Sequence, residues 1–251
     1  MMKRLLITVA CLLPFAGNAV AGWYQVDNYE GELGKSSIQF SMQTYDFGSG
    51  ITVEGSYYDK AGNSPIALYG KISGTKVQLC EISNDEELDR VVVQGSTTPF
   101  DTSKCPISLT LSDDGATGTW KKGGSDHPVV LRKIASLDDT AEANIDGNVA
   151  IPFWAQTDTH MFRGIYTNTS NGLCMEKVEI VNKSTGHIDQ EIAFANDVCN
   201  AGMVMTPIYM NIQKWVDAGV DIMSVNFLDN RGGYSEDYAY DKASRNFSKA
   251  K

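Results

Sequence analysis

Ile38-Gln39-Phe40-Ser41-Met42 alternates apolar and polar side chains at period two, which is how a strand with one buried face reads. Working outward, residues 51–58, 66–69, 77–79, 91–93, 107–111 and 129–131 form further apolar or alternating segments. Asp59-Lys60-Ala61-Gly62-Asn63, Asp113-Asp114-Gly115 and Gly123-Gly124-Ser125-Asp126 fall between them, and each is rich in residues that turn the chain. Short strands spaced in this way predict an antiparallel meander, closed as a barrel or folded as a sandwich. No apolar stripe at helical spacing runs through this half, so the expected fold is all-β with little helix.

Residues 134–148 lose the alternation and become small and acidic. They read as a linker or one short helix between an N-terminal β domain, residues 22–133, and a C-terminal β domain, residues 149–251. In the second domain the expected strands are 149–155, 161–167, 174–181, 188–194, 204–212 and 222–227. Asn182-Lys183-Ser184-Thr185-Gly186 supplies a hairpin turn. Residues 213–218 read as a short helical turn, and the last residues, from Asp241 onward, are expected to fray.

The N-terminus reads as an export signal. Met1-Met2-Lys3-Arg4 is basic, residues 5–15 are apolar, and Ala19-Val20-Ala21 offers small residues for cleavage before Gly22. Residues 1–21 are therefore expected to be removed, leaving a periplasmic or secreted protein of a Gram-negative bacterium. No other run approaches the roughly 18 apolar residues of a spanning helix, so no transmembrane segment is expected after cleavage.

The whole chain of 251 residues has a formal charge of −10. Without Lys3 and Arg4, 19 basic side chains face 31 acidic ones, a net −12. Such a surface repels phosphate backbones and attracts basic proteins, so nucleic acid is excluded as a partner and a basic protein is expected. Cys80, Cys105, Cys174 and Cys199 remain after cleavage. Four cysteines in an oxidising compartment suit two disulfides, and of the three connectivities Cys80–Cys105 with Cys174–Cys199 is the simplest.

The stretch from Tyr29 to Arg132 resembles a β-barrel module found in exported bacterial proteins of uncharacterised function. The resemblance rests on Tyr29-Glu30-Gly31-Glu32-Leu33-Gly34, Gly55-Ser56-Tyr57-Tyr58, Pro65-Ile66-Ala67-Leu68-Tyr69-Gly70, Leu79-Cys80-Glu81, Gly118-Thr119-Trp120 and Pro128-Val129-Val130-Leu131. Such a module sometimes accompanies lysozyme-inhibitor domains, which implies inhibition of a wall hydrolase. The Ser-Gly-x-x-Tyr loop of small periplasmic lysozyme inhibitors is not reproduced, because Ser49-Gly50 is followed by Ile51-Thr52-Val53.

The chain lacks His-Glu-x-x-His, Gly-x-Ser-x-Gly, P-loop and Gly-x-Gly-x-x-Gly patterns. His127, His160 and His187 are scattered and read as solvated turn residues, and bridged cysteines leave no thiol nucleophile. Asp229-Asn230-Arg231-Gly232-Gly233 departs from calcium-loop spacing, with Arg231 at a ligand position. No catalytic residue, metal or cofactor is expected. Two segments stand out as contact surfaces. Tyr234-Ser235-Glu236-Asp237-Tyr238 interleaves tyrosines with carboxylates, and Glu86 and Glu87 lie in the dense acidic run 84–89. Tyr234, Glu236, Asp237, Tyr238, Glu86 and Glu87 are thus the expected binding residues. The expected function is that of an exported acidic binding protein, an inhibitor or immunity-type protein that blocks a basic envelope hydrolase. The alternatives are a lipocalin-like carrier of an apolar or glycan ligand and a hydrolase using two carboxylates across a cleft.

Overall fold

The structure, a computed structural model, describes residues 24–45, 50–60, 62–82, 84–94, 101–138, 147–169, 172–194, 207–229 and 232–250. The expected signal peptide, Trp23 and Cys199 lie outside them.

Eight strands form the first unit: β1 (Tyr24–Leu33), β2 (Ser36–Tyr45), β3 (Val53–Asp59), β4 (Ile66–Ser73), β5 (Lys76–Glu81), β6 (Ile107–Ser112), β7 (Gly115–Lys122) and β8 (Ser125–Asp138). Each pairs antiparallel with the next, and β8 returns to β1, closing a barrel without free edges. Alternation drives this. Ile38, Phe40 and Met42 of β2 point inward with Val53 and Tyr57 of β3, Leu68 of β4, Leu79 of β5 and Leu131 of β8, all in one buried cluster. Tyr29 meets Phe40 edge to face at 6.1 Å, and Phe40 stacks on Tyr57 at 6.3 Å. The interior is a packed core of large side chains.

Closure requires sharp coiling, and two glycines permit it. A Cβ on Gly70 would lie 1.8 Å from the Gln78 carbonyl oxygen, and one on Gly118 would lie 1.9 Å from that of Ser108. No side chain fits at either place. The β1–β8 pairing also shifts register beyond Asn28, with Asn28 opposite Ala135 and Tyr29 opposite Lys133. Ile134 is the extra residue of that bulge, and past it Ala135 and Leu137 turn to the outer face and join the second core.

The second unit has two four-stranded meanders. One contains β9 (Asn148–Gln156), β10 (His160–Thr169), β11 (Gly172–Asn182) and β12 (Ile188–Ala193). The other contains β13 (Ile212–Asp217), β14 (Val220–Asp229), β15 (Gly232–Asp241) and β16 (Asn246–Lys249). The sheets pack through Phe162 on Phe247 at 5.5 Å and Phe194 on Phe227 at 5.1 Å. The Gln190 side chain donates to the Phe247 carbonyl at 2.8 Å and accepts its N–H at 2.7 Å, tying β12 to β16. One buried cluster joins this core to Tyr24, Val26, Tyr69 and Leu137 on the outside of the barrel, so the two units share a hydrophobic interior.

The all-β expectation holds, with five local corrections. Residues 91–93, read as a strand, belong to helix α1 (Asp85–Gln94). Asn84 caps it by accepting the Glu87 N–H at 2.8 Å, acidic residues suit its positive end, and Leu88 and Val91 pack inward. The stretch expected to be linker from residue 134 instead continues β8 to Asp138. Within 204–212, expected as strand, Pro207–Met210 is the short helix α2. Residues 213–218, expected as a helical turn, lie largely in β13, whose pairing with β14 overrides local preference. The last residues do not all fray, because β16 pairs with β15 and buries Phe247. Cys80–Cys105 is the one disulfide complete within the described residues. Cys174 is also bridged, to a partner outside them, so the expected Cys174–Cys199 pairing is not placed.

Candidate binding surfaces

The six residues singled out by sequence fall on two elements. Glu86 and Glu87 lie in the first turns of α1. Glu86 is exposed, whereas Glu87 accepts the Tyr69 hydroxyl at 2.7 Å and lies 3.6 Å from Arg90 Nη2. Arg90 also donates to the Tyr69 hydroxyl at 3.0 Å. Glu87 therefore anchors the helix to the barrel wall and leaves Glu86 facing solvent.

Tyr234, Glu236, Asp237 and Tyr238 lie on β15, which is an interior strand of its sheet, between β14 and β16. Tyr234 is exposed and stacks on Phe227 at 5.0 Å. Tyr238 is buried and donates its hydroxyl to Glu236 Oε2 at 2.8 Å, while Lys249 donates to Glu236 Oε1 at 2.6 Å. Burial by itself would raise the Glu236 carboxyl, but these two donors and the Lys249 charge bring it below its ordinary value. Burial first, and then Glu236, hold the Tyr238 hydroxyl well above the ordinary tyrosine range. Asp237 buries Oδ1 with no partner among the described residues. Tyr234 is thus the member of this quartet most open to a partner.

The histidines differ from the sequence reading, as solvated turn residues, at His127, which lies within β8, and more sharply at His160. His127 is half-buried beside Trp120 and His187 is exposed, but His160 is buried at 4% exposure. Its Nδ1 lies 2.9 Å from Thr159 Oγ1 and its Nε2 lies 3.1 Å from Asp189 Oδ2. Asn182 donates to the same Asp189 oxygen at 2.9 Å, and this bond, with His160, holds the Asp189 carboxyl below its ordinary value. The ring packs on Tyr240 at 5.7 Å. The turn looks polar in sequence, and β16 covers it only in three dimensions.

Sequence reasoning missed the polar seam between the barrel and the second unit. Asn28, Ser41 and Ser56 stand side by side on β1, β2 and β3, and all three are buried. Ser41 donates to Asn28 Oδ1 at 2.5 Å. Arg163 Nη1 donates to the Tyr58 hydroxyl at 3.2 Å, which donates to Gln39 Oε1 at 2.5 Å, and Gln39 Nε2 donates to the Ala150 carbonyl at 3.0 Å. Arg163 also pairs with Glu179 at 2.6 Å, and Trp154 donates its indole N–H to the Gly55 carbonyl at 2.5 Å. Asn28 Nδ2, Glu54 Oε2, Ser56 Oγ and Arg163 Nε have no partner among the described residues. The alternation that marks the inner face also marks these residues as polar, but sequence gives no sign that a second unit covers them.

Among the described residues no cluster of His, Cys, Asp and Glu could hold a metal ion, and no helix is long and apolar enough to cross a membrane. In comparison with known proteins, no protein-family model matches the chain, and no curated protein matches it significantly.

Proposed function

We propose that the chain is an exported acidic binding protein, an inhibitor or immunity-type protein that blocks a basic envelope-acting hydrolase such as a lysozyme. The observation that carries this reading is the pairing of a packed barrel interior with a net charge of −10. A barrel filled by Tyr29, Phe40, Tyr57, Leu68 and Leu79 leaves recognition to its outside, and a strongly negative exterior favours cationic partners. The same filled interior weighs against the carrier alternative, which needs a lined cavity. Exposed Glu86 and Tyr234 are the contact residues we assign first.

The test is a muramidase assay with a basic lysozyme, repeated at about 50 mM and about 500 mM salt. Inhibition that saturates at a fixed ratio and fades with salt supports the reading. Full enzyme activity at low salt with excess protein, together with no measurable binding to other basic hydrolases, would sink it.

A further inference from the structure

Three lysines of this acidic chain converge on one groove of about 810 Å³ on the outer face of β4 to β7. Its floor is a cross-strand row, with Lys71 beside Gln78 and Gln78 beside Ser108. Ser108 donates its hydroxyl to Gln78 Oε1 at 3.0 Å, which fixes the floor. Residues 101–106 form a wall that adds Ser103 and Lys104, and Lys121 of β7 completes the lining. The Cys80–Cys105 disulfide clamps this wall to β5, and the Lys121 N–H donates to the Pro106 carbonyl at 2.8 Å.

Among the described residues Lys71, Lys104 and Lys121 have no salt-bridge partner. Asp101 also lines the groove. It accepts the Ser103 N–H at 2.9 Å, and bonds from Ser103 with the charge of Lys104 hold its carboxyl below the ordinary value. Three positive charges against one negative leave the groove cationic.

The spacing limits what can fill it. β4 and β7 are three strand positions apart, about 14 Å at the usual separation. A molecule the size of a disaccharide spans that distance, and the groove volume of about 810 Å³ accommodates it, so one ligand can reach all three ammonium groups. Besides the Asp101 carboxylate, the polar lining contains hydroxyl, amide and ammonium groups and no aromatic ring, so it offers hydrogen bonds rather than stacking. The negative charge of the rest of the chain opposes long polyanions, which cannot keep clear of it.

We propose that this groove binds a sugar-sized molecule carrying several oxyanion groups, such as phosphate or sulfate esters. The three ammonium groups take the anions, while Gln78, Ser103 and Ser108 supply hydrogen bonds to the polar scaffold. This site goes beyond the cationic-partner reading and uses none of its residues, so either can fail without the other.

The probe is sucrose octasulfate, titrated calorimetrically into the full chain with its disulfides intact, with sucrose and inorganic sulfate in parallel. The octasulfate should bind at one site and weaken between about 50 mM and about 200 mM salt. Sucrose should not bind, and sulfate should bind about tenfold or more weakly, because it engages fewer ammonium groups at once. Lys71→Gln, Lys104→Gln and Lys121→Gln should each reduce affinity about threefold to fivefold, and the triple variant should lose most of it. Lys60→Gln, which removes one of the two basic partners of Glu30, should bind like wild type. No octasulfate binding by the wild type would overturn the proposal, as would equal binding by the folded triple variant or equal binding of sucrose.

Discussion

Glu54 lies on β3 between Gln43 and Tyr69 of the neighbouring strands, buried where the barrel meets the second unit. Burial pushes its carboxyl up from 4.5 to about 8. Between those values the unfolded chain has released a proton that the native chain keeps, so the native state loses stability as pH rises through that window. The loss is on the order of a few kcal/mol and levels off above the folded value. Glu54→Gln keeps the shape and removes the titration. In urea unfolding it should match wild type near pH 5 and exceed it above pH 8; parallel pH curves for the two proteins would refute this. Gly70 makes a steric argument. A Cβ there would stand 1.8 Å from the Gln78 carbonyl oxygen. Gly70→Ala must therefore move β4 away from β5 and should lower stability by at least about 3 kcal/mol in a denaturant titration. A loss below about 1 kcal/mol would mean that the strands shift freely there.

At the scale of elements, β16 is held by its ladder to β15 and by the Gln190 side chain on its other side. Gln190→Ala removes both of those bonds and should cost about 1–2 kcal/mol. Hydrogen exchange should rise first at Phe247, whose N–H loses its acceptor; unchanged protection there would show that the bond contributes nothing. The inward alternation of β2 to β6 is readable because one face of each strand packs inside the barrel. The strand β7, with Gly115, Thr117, Gly118 and Thr119, is harder to read because its apolar content is small. Helix α1 escapes a sequence reading for a related reason. Its inward residues Leu88 and Val91 are three apart within one short segment, too few to set a period, and its cap at Asn84 reads as part of an acidic loop. β13 misleads because only Ile212 at its start is fully buried, while the adjacent Trp215 and Val216 are both exposed, so no alternation marks a face.

At the scale of the whole molecule, charge is the property most open to test. If a cationic partner is held by the acidic exterior, its association should slow as salt rises, and a salt-independent rate would count against that. Glu86→Lys is the variant to use, since Glu86 is exposed on α1. It should slow association severalfold while lowering the unfolding midpoint only slightly, because Lys in the first turn of α1 opposes the helix dipole. Changing Glu236 or Asp237 is less informative, because Glu236 is tied to Lys249 and Tyr238 and Asp237 buries an oxygen. The sequence by itself determined the β class, most strand positions and the net charge, because side-chain alternation and composition are local properties. It did not determine that the barrel closes, that the second unit divides into two facing sheets, or that Lys71, Lys104 and Lys121 share a groove. Strand register, the bulge at Ile134 and the disulfide-clamped wall decide those, and each depends on residues far apart in the chain meeting in space. The polar seam shows the same division. Ser41 reads as a polar position of an alternating strand, but only strand pairing sets it beside Asn28 and Ser56, and only the packing of the second unit against the barrel buries them with Glu54.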